Sequence, residues 1–503
     1  MRYFITFLIC VLLISVNSCE RKDFNTLPNT GTLEFSKDTV FLDTIFTNIG
    51  SATYNLKVYN KRNNAITIPS IKLENGNLSN YRLNVDGIAG KEFTNIDILA
   101  KDSIFIFVET TIDVSTQTNP IYTDKILFDS GNNQQNVDLV TLVKDANFIY
   151  PGRNAVTMEI DSLSLNGTPT NIKGRFLKDS ELTFTNSKPT VIYGYAAVPA
   201  NKTLTIEAGA RVHFHNNSGL IIDNKATLKV NGTLNEKVIF EGDRLENSFS
   251  KVAGQWGTIW MRAGSLENEI NHAQIKNGVI GILIDSIGSN SSATLKLQNT
   301  EICNHSNYGI LARETHIEGN NVVIGSAGQA SLAATMGGTY NFTHATFANY
   351  WSNSLRQLPA VLVNNFIAYN NENGQEVIET RNLYAANFTN CIFDGNNNIE
   401  FILDKVDNGD IFNYNIHNSL IKFTDTNESY KDVAELDFTN SYYLNNILNG
   451  KPHFKDTQNN NFIIGQESDA IQKAKATVFS SDILGVDRSL NPDIGAYQHI
   501  TFD

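Results

Sequence analysis

The chain writes strand after strand with brief polar turns between them. "GLIIDNKATLKVNGTLNEKVIFEGD", residues 219 to 243, holds three short apolar strands, and nothing in it follows a 3.6-residue period. Between residues 31 and 150 the same alternation recurs in "DTVFLDTIF", "YNLKVYN", "SIFIFVETTI", "DKILFD" and "NVDLVTLV", spaced on a ten-residue scale with Asn, Gly and Asp turns. That spacing predicts an antiparallel β-sandwich over residues 31–150. Tyr150-Pro151-Gly152 then marks a hinge, and residues 151–503 carry a different rhythm.

In this second region the turns are too short for a succession of long hairpins. A solenoid fits instead, each coil giving short strands that stack in parallel on the coil below. A period supports it: "NHAQIKN", "LQNTEICN", "NVVIGS", "THATFAN", "TNCIFD" and "HNSLIKF" share one polar and apolar order. Ile275, Ile302, Ile324, Phe347, Ile392 and Leu420 are the inward positions, at steps of 27, 22, 23, 45 and 28 residues. Counting the 45 as two coils gives a mean near 24, the spacing of a right-handed parallel β-helix. About thirteen coils over residues 170 to 497, at about 4.8 Å each, give a rod roughly 60 Å long. The fold class is therefore all-β, a sandwich followed by a solenoid. The many turn Asn residues suit left-handed backbone angles and can ladder between coils.

Composition narrows the function. Of 503 residues, 41% are hydrophobic and 18% charged, enough apolar surface for two or more cored domains. A net charge of −13 without a Lys/Arg run excludes a basic footprint for nucleic acid.

The N-terminus is specific. Met1-Arg2-Tyr3 gives a positive start, Phe4 to Ile14 an apolar run too short to span a bilayer, and Val16-Asn17-Ser18-Cys19 a small-residue cleavage site. The spacing resembles the lipobox of bacterial lipoproteins, with Val16 at the usual Leu position, and implies a signal peptide at 1–18 and lipidation of Cys19. Two or three acyl chains, at about 0.8 kcal/mol per buried methylene, hold such a protein on a membrane. Residues 19–30 form a tether. Glu20-Arg21-Lys22-Asp23 resembles the export tags of Bacteroidetes lipoproteins, which implies lipid anchoring on the outer membrane with exposure at the cell surface.

Three further stretches resemble surface lipoproteins of that group. "DTVFLDTIFTNIGSATYNLKVYN" resembles their immunoglobulin-like domains. "GQWGTIWM" (254–261) resembles the Trp-Gly turn that opens many pectin-lyase-like β-helices, and "DRSLNPDIGAYQ" (487–498) resembles their terminal "PDIGAYE" coil, with Gln498 for Glu. Five Asp-Ser/Thr-apolar triplets, at Asp38, Asp43, Asp102, Asp161 and Asp285, resemble an O-glycosylation sequon of Bacteroidetes.

A secreted β-helix raises polysaccharide cleavage as the enzymatic reading. The paired carboxylates of glycosidases occur in NTD, DD, GHG and RxK strings, and neither those nor lyase strings such as RxPxxR and WxDH occur here. In "DKVDNGD", Asp404, Asp407 and Asp410 around Gly409 offer hard oxygens for Ca²⁺, with Lys405 as a neighbouring base. Val406 breaks the EF-hand order, which favours a solvated turn over a Ca²⁺ site. His213 and His215 share one strand face and lack a visible third ligand. Cys303 and Cys391, outside any metal spacing, read as packed thiols. Trp256, Trp260 with Arg262, Tyr340, Trp351 with Arg356, and Tyr369 suit a sugar-binding face, since flat rings with polar rims match amphipathic ligands. Insertions near 243–255, 352–359, 371–386 and 424–446 fall on turns, where solenoids build binding faces.

These patterns favour a non-catalytic surface lipoprotein presenting its β-helix to a glycan or protein. The alternative is a Ca²⁺-dependent polysaccharide lyase or hydrolase built on Asp404, Asp407, Asp410 and Lys405.

Overall fold

A computed structural model describes residues 26–117, 119–286 and 292–502. Cys19 and the rest of the N-terminal leader lie outside the described residues. Backbone contacts divide the chain into two compact units, Met1–Asp145 and Ala146–Asp503. Among the described residues every long element is a strand, and the helical turns are short 3-10 segments.

In the first unit, alternating apolar residues give strands with one buried face, as in Ser103–Thr110. A six-stranded and a five-stranded sheet form. Val40, Ile68 and Leu139 of one sheet share a single apolar cluster with Leu56, Leu83 and Ile106 of the other. Most pairings are antiparallel, but Thr39–Phe46 joins Gln135–Lys144 in parallel, which the expected antiparallel pattern does not include.

The second unit carries one 27-stranded sheet with a regular repeat. The stretch 219–243 forms one turn of it: Gly219–Ile222, Thr227–Asn231 and Val238–Gly242. Each pairs in parallel with a strand of the preceding turn, Tyr195–Val198, Thr203–Glu207 and Arg211–Phe214. Three parallel ladders result, which is a solenoid-like repeat. The ladder that begins with Asn147–Ile149 and Thr190–Ile192 is the first, the one through Gly219–Ile222 the second, and the one through Thr227–Asn231 the third.

The first ladder runs unbroken from Asn147–Ile149 to Ile447–Leu448 through eleven strand segments. The expected thirteen coils are therefore too many, because the 45-residue step is one coil and because the ladder stops at Leu448, short of residue 497. Phe347 pairs directly with Phe393, so this step is a single coil carrying a long insertion. Within the insertion Phe366–Asn370 and Glu376–Thr380 form an antiparallel hairpin.

Ile275, Ile302, Ile324 and Phe347 point into the apolar core as expected, and Phe393 continues the column. Ile392 and Leu420 do not. They sit one residue out of step, and successive side chains on a strand point to opposite faces. Both are nonetheless buried, because the C-terminal segment covers them with Ile464, Ala470 and Ile494.

The "PDIGAYQ" stretch belongs to that cover. It is no stacked coil: Gly495 N–H donates to Asn390 O (2.9 Å) and Ala496 N–H to Thr346 Oγ1 (3.0 Å) on the outer face. Asp493 accepts from the N–H groups of Gln472 and His499, while buried Arg488 donates to the carbonyls of Gly495 and Ala496.

One corner repeats from coil to coil. Between the third and first ladders a single residue turns the chain with positive φ: His272, Asn299, Asn321, His344, Asn390 and Asn418. Asn and His tolerate this left-handed region better than most residues. Asn321 Nδ2 donates to Asn299 Oδ1 (3.0 Å) and Asn299 Nδ2 donates to Asn271 Oδ1 (3.3 Å), so the expected Asn ladder is present.

The Trp-Gly turn packs inward. Trp256 stacks on Phe214 at 4.3 Å and donates from Nε1 to Lys276 O. A Cβ at Gly257 would lie 2.1 Å from the Tyr195 hydroxyl, so only glycine fits there.

Candidate functional site

The second ladder differs from the third in what it turns outward. On the third ladder, outward positions alternate Lys229, Glu269, Lys296 and Glu318 between apolar neighbours. On the second ladder the outward column is itself apolar: Ile221, Trp260, Leu283, Leu311, Ala333, Leu362 and Ile402, one per coil. At its start this column is covered by the chain's own hairpin, where Leu163 and Leu165 cluster with Ile221 against Trp260. Beyond the hairpin Leu283, Leu311, Leu362 and Ile402 remain half-buried. The strip joins partly exposed apolar side chains of successive coils into one face.

Two residues along each strand lies a polar column. Arg262 pairs with Asp223. Asp285 accepts from Trp260 Nε1 at 2.7 Å and from Arg313 Nη1 at 3.2 Å. Arg262 also lies over the Trp260 ring, 5.9 Å from its centroid. Thr335, Asn364 and Asp404 continue the column, Arg313 pairing with Thr335 and Asn364 with Asp404. Burial raises the Asp404 carboxyl above the usual range.

At the corner beyond this column a charged chain reaches the inserted hairpin. Ser286 Oγ donates to Glu314 (2.9 Å), Arg381 bridges Glu314 (3.7 Å) and Glu379 (3.3 Å), and Tyr369 donates to Glu379 at 2.5 Å. The hydrogen bond from Tyr369, with Arg381 beside it, lowers the Glu379 carboxyl, and the same bond raises the Tyr369 phenol.

The residues singled out in the sequence therefore separate. Trp260, Arg262, Asp404 and Tyr369 lie on or beside the second ladder's outer face. Tyr340 is fully buried in the core, its hydroxyl donating to Gly337 O at 2.9 Å, and it offers no ring to a ligand. Arg356 is also enclosed, its guanidinium paired with Glu400, and holds an insertion in place. Trp351 is 8% exposed, with Nε1 tied to Ser354 Oγ.

Lys405 bridges Asp407 (3.0 Å) and Glu435 (3.5 Å). The hydrogen bond to Asp407, with Glu435 beside it, raises its ammonium above the ordinary lysine value, which opposes a role as base near neutral pH. Among the described residues no group of three or more His, Cys, Asp or Glu side chains is placed to hold a metal ion, so Asp404, Asp407 and Asp410 do not form one. His213 Nδ1 faces Gly242 O, while His215 bonds to Asp243 at 2.7 Å. Cys303 and Cys391 are free and buried, matching the packed-thiol reading.

The apolar column was missed in the sequence, although a signal for it exists. Its strands carry unbroken apolar triplets, "IWM" at 259, "ILI" at 282, "ILA" at 310, "VLV" at 361 and "FIL" at 401, where a solvated strand alternates as "TLKVN" does.

The all-β, solenoid-like fold is compatible with a carbohydrate-binding scaffold. No family model and no curated protein matches the sequence. Two solved structures show partial likeness. One, described in work on glycolipid glycan hydrolysis by a family 123 glycoside hydrolase from Clostridium perfringens, is 10% identical with a TM-score of 0.16, covering 23% of this chain and 27% of that one. The other, a protein of unknown function from Porphyromonas gingivalis W83, is 10% identical with a TM-score of 0.17, covering 24% of this chain and 54% of that one. Likeness at this level carries no argument about function.

Proposed function

We propose that this chain is a lipid-anchored surface protein whose solenoid binds a polysaccharide along the outer face of the second ladder. In this reading the solenoid is a right-handed parallel β-helix of the pectin-lyase-like kind, the first unit is an immunoglobulin-like sandwich, and Cys19 carries the lipid of a Bacteroidetes-type outer-membrane lipoprotein. The observation that supports binding is the apolar column Trp260–Leu283–Leu311–Leu362–Ile402, flanked by Arg262, Asp285 and Arg313. Sugar rings present apolar C–H faces edged by hydroxyls, so a hydrophobic strip with a polar rim matches them along a polymer. The groups on this face are paired with one another in a way that orients donors, and the reading is one of binding without cleavage.

The test is affinity electrophoresis of the full chain through a panel of soluble polysaccharides. Retardation by at least one polymer, weakened about tenfold by Trp260→Ala and by Leu311→Glu, is the expected result. Mobility unaffected by either substitution removes the second ladder as the binding face. For the anchor, incorporation of an alkyne fatty acid in a bacterial host should be lost in Cys19→Ser, and equal labelling of that variant contradicts lipidation there.

A further inference from the structure

Where the C-terminal segment crosses the first ladder it closes a cleft of about 210 Å³. That is the room of about seven waters of bulk liquid. Its wall is assembled from five separate parts of the second unit, contributing Lys251, Asn304, Ser326, Trp351, Asn353 and Gln458 among others. None of these except Trp351 was singled out in the sequence.

Several of these groups are idle. Ser326 is only 6% exposed, lines the cleft, and makes no side-chain hydrogen bond among the described residues. The side-chain amides of Asn353 and Gln458, both on exposed residues at the rim, make no side-chain hydrogen bond among the described residues either. An unpaired hydroxyl on the wall of an open cleft is available to a ligand that enters it.

The cleft also has a defined charge. The Lys251 ammonium donates to Asn459 Oδ1, and the Asn459 amide in turn donates to Asp456 Oδ2 at 2.5 Å, which fixes which way that amide points. Two of the three ammonium N–H groups are left over. The described lining residues carry no carboxylate, and the carboxylate that faces Lys251, Asp456, lies outside the lining and is bonded to the Asn459 amide. A cation here faces unpaired hydroxyl and amide groups and the edge of one indole.

We infer that this cleft binds a small hydroxyl-rich anion, with its single acidic group at Lys251 and its hydroxyls at Ser326, Asn353 and Gln458. A charge-assisted bond to the ammonium supplies the strongest contact, and neutral hydroxyl bonds select the polyol. The Trp351 edge closes one side. A carboxylate and a phosphate ester share this chemistry, and a titration separates them. The site is independent of the polymer-binding face and stands or falls without it.

The test is calorimetric titration of the full chain with glucuronate, glucose 6-phosphate and glucose. At least one of the two acids should bind tenfold or more tightly than glucose, and the better of them identifies the acidic group. Lys251 is exposed, so Lys251→Met leaves the fold intact by its melting curve and should weaken that acid at least tenfold. Asn353→Ala should weaken it less. Trp260→Ala should leave it unchanged even if it abolishes polysaccharide binding. Glucose binding as tightly as both acids, no binding by any of the three, or unaltered affinity in Lys251→Met overturns the proposal.

Discussion

Phe347 and Phe393 stack in parallel, 5.4 Å between ring centroids and 2° between planes, although 46 positions separate them. The chain between them leaves the solenoid and returns without interrupting it. At the base of the excursion Arg381 N–H donates to Asn365 O at 2.8 Å, so the two ends of the hairpin are already adjacent. Replacing residues 366–380 by Gly-Gly should therefore leave a soluble chain that melts cooperatively within a few degrees of the parent. Loss of cooperative melting would mean that the hairpin belongs to the core.

Glu400 sits at the centre of a second insertion. Its carboxylate accepts from Arg356, from Ala360 N–H (2.7 Å) and from Asn397 N–H (2.8 Å), and both members of the pair are almost fully enclosed. Removing one partner of such a pair strands the other, at about 3–5 kcal/mol. Glu400→Ala should lower unfolding stability by that amount in denaturant titration. The double variant Arg356→Met, Glu400→Leu should recover much of it, since no charge is then left buried.

Two buried imidazoles predict an acid-sensitive fold. Burial pushes His305 down to about 4, and burial with Arg488 nearby pushes His344 down to about 3. Both are neutral in the folded chain, while in the unfolded chain they protonate near 6.5. Unfolding then takes up protons, so their stabilising effect is present above about 6.5 and is lost as pH falls toward 4. The loss is about 1.4 kcal/mol per pH unit for each. His344→Asn keeps the left-handed corner that His344 occupies at φ 52°. Denaturant titrations at pH 7 and 4.5 should show a smaller drop for His344→Asn and His305→Gln than for the parent.

The C-terminal cover predicts a thiol signature. Cys303 clusters with Val323, Ala348, Phe462, Ile483, Ala496 and Tyr497, and burial raises its thiol far above the usual value. Cys391 is pushed up to about 12 by burial in the main core. Neither should react with a thiol reagent in the native chain. Deleting residues 479–503 should make Cys303 react while Cys391 stays protected, and equal protection of both would mean that the segment does not seal the outer face.

Much of the fold was legible in the sequence because a parallel solenoid repeats its pattern. "GLIIDNKATLKVNGTLNEKVIFEGD" contains one strand of each ladder and the turns between them. The register slipped where the pattern is ambiguous: Ile392-Phe393 and Leu420-Ile421 are apolar on both faces because the C-terminal cover buries the outer one. The coil count failed because an insertion of nearly one coil length mimics a coil and because the chain beyond Leu448 covers the first ladder instead of extending it.

The candidate site was less legible. Trp260 beside Arg262 was visible as an aromatic next to a cation. Tyr340 looked the same in sequence yet lies inside the core, and Arg356 gave no sign of its partner 44 positions away. The meeting of Trp260 with Asp285 follows only from the register of Ile259–Met261 on Ile280–Ile284.

The most direct test of the account is hydrogen exchange of the full chain with and without the polysaccharide that retards it most in affinity electrophoresis. Binding on the second ladder predicts slower exchange confined to the segments around 259–262, 282–286, 310–314, 361–364 and 401–404. Protection confined to the third ladder, or to the first unit, would contradict it.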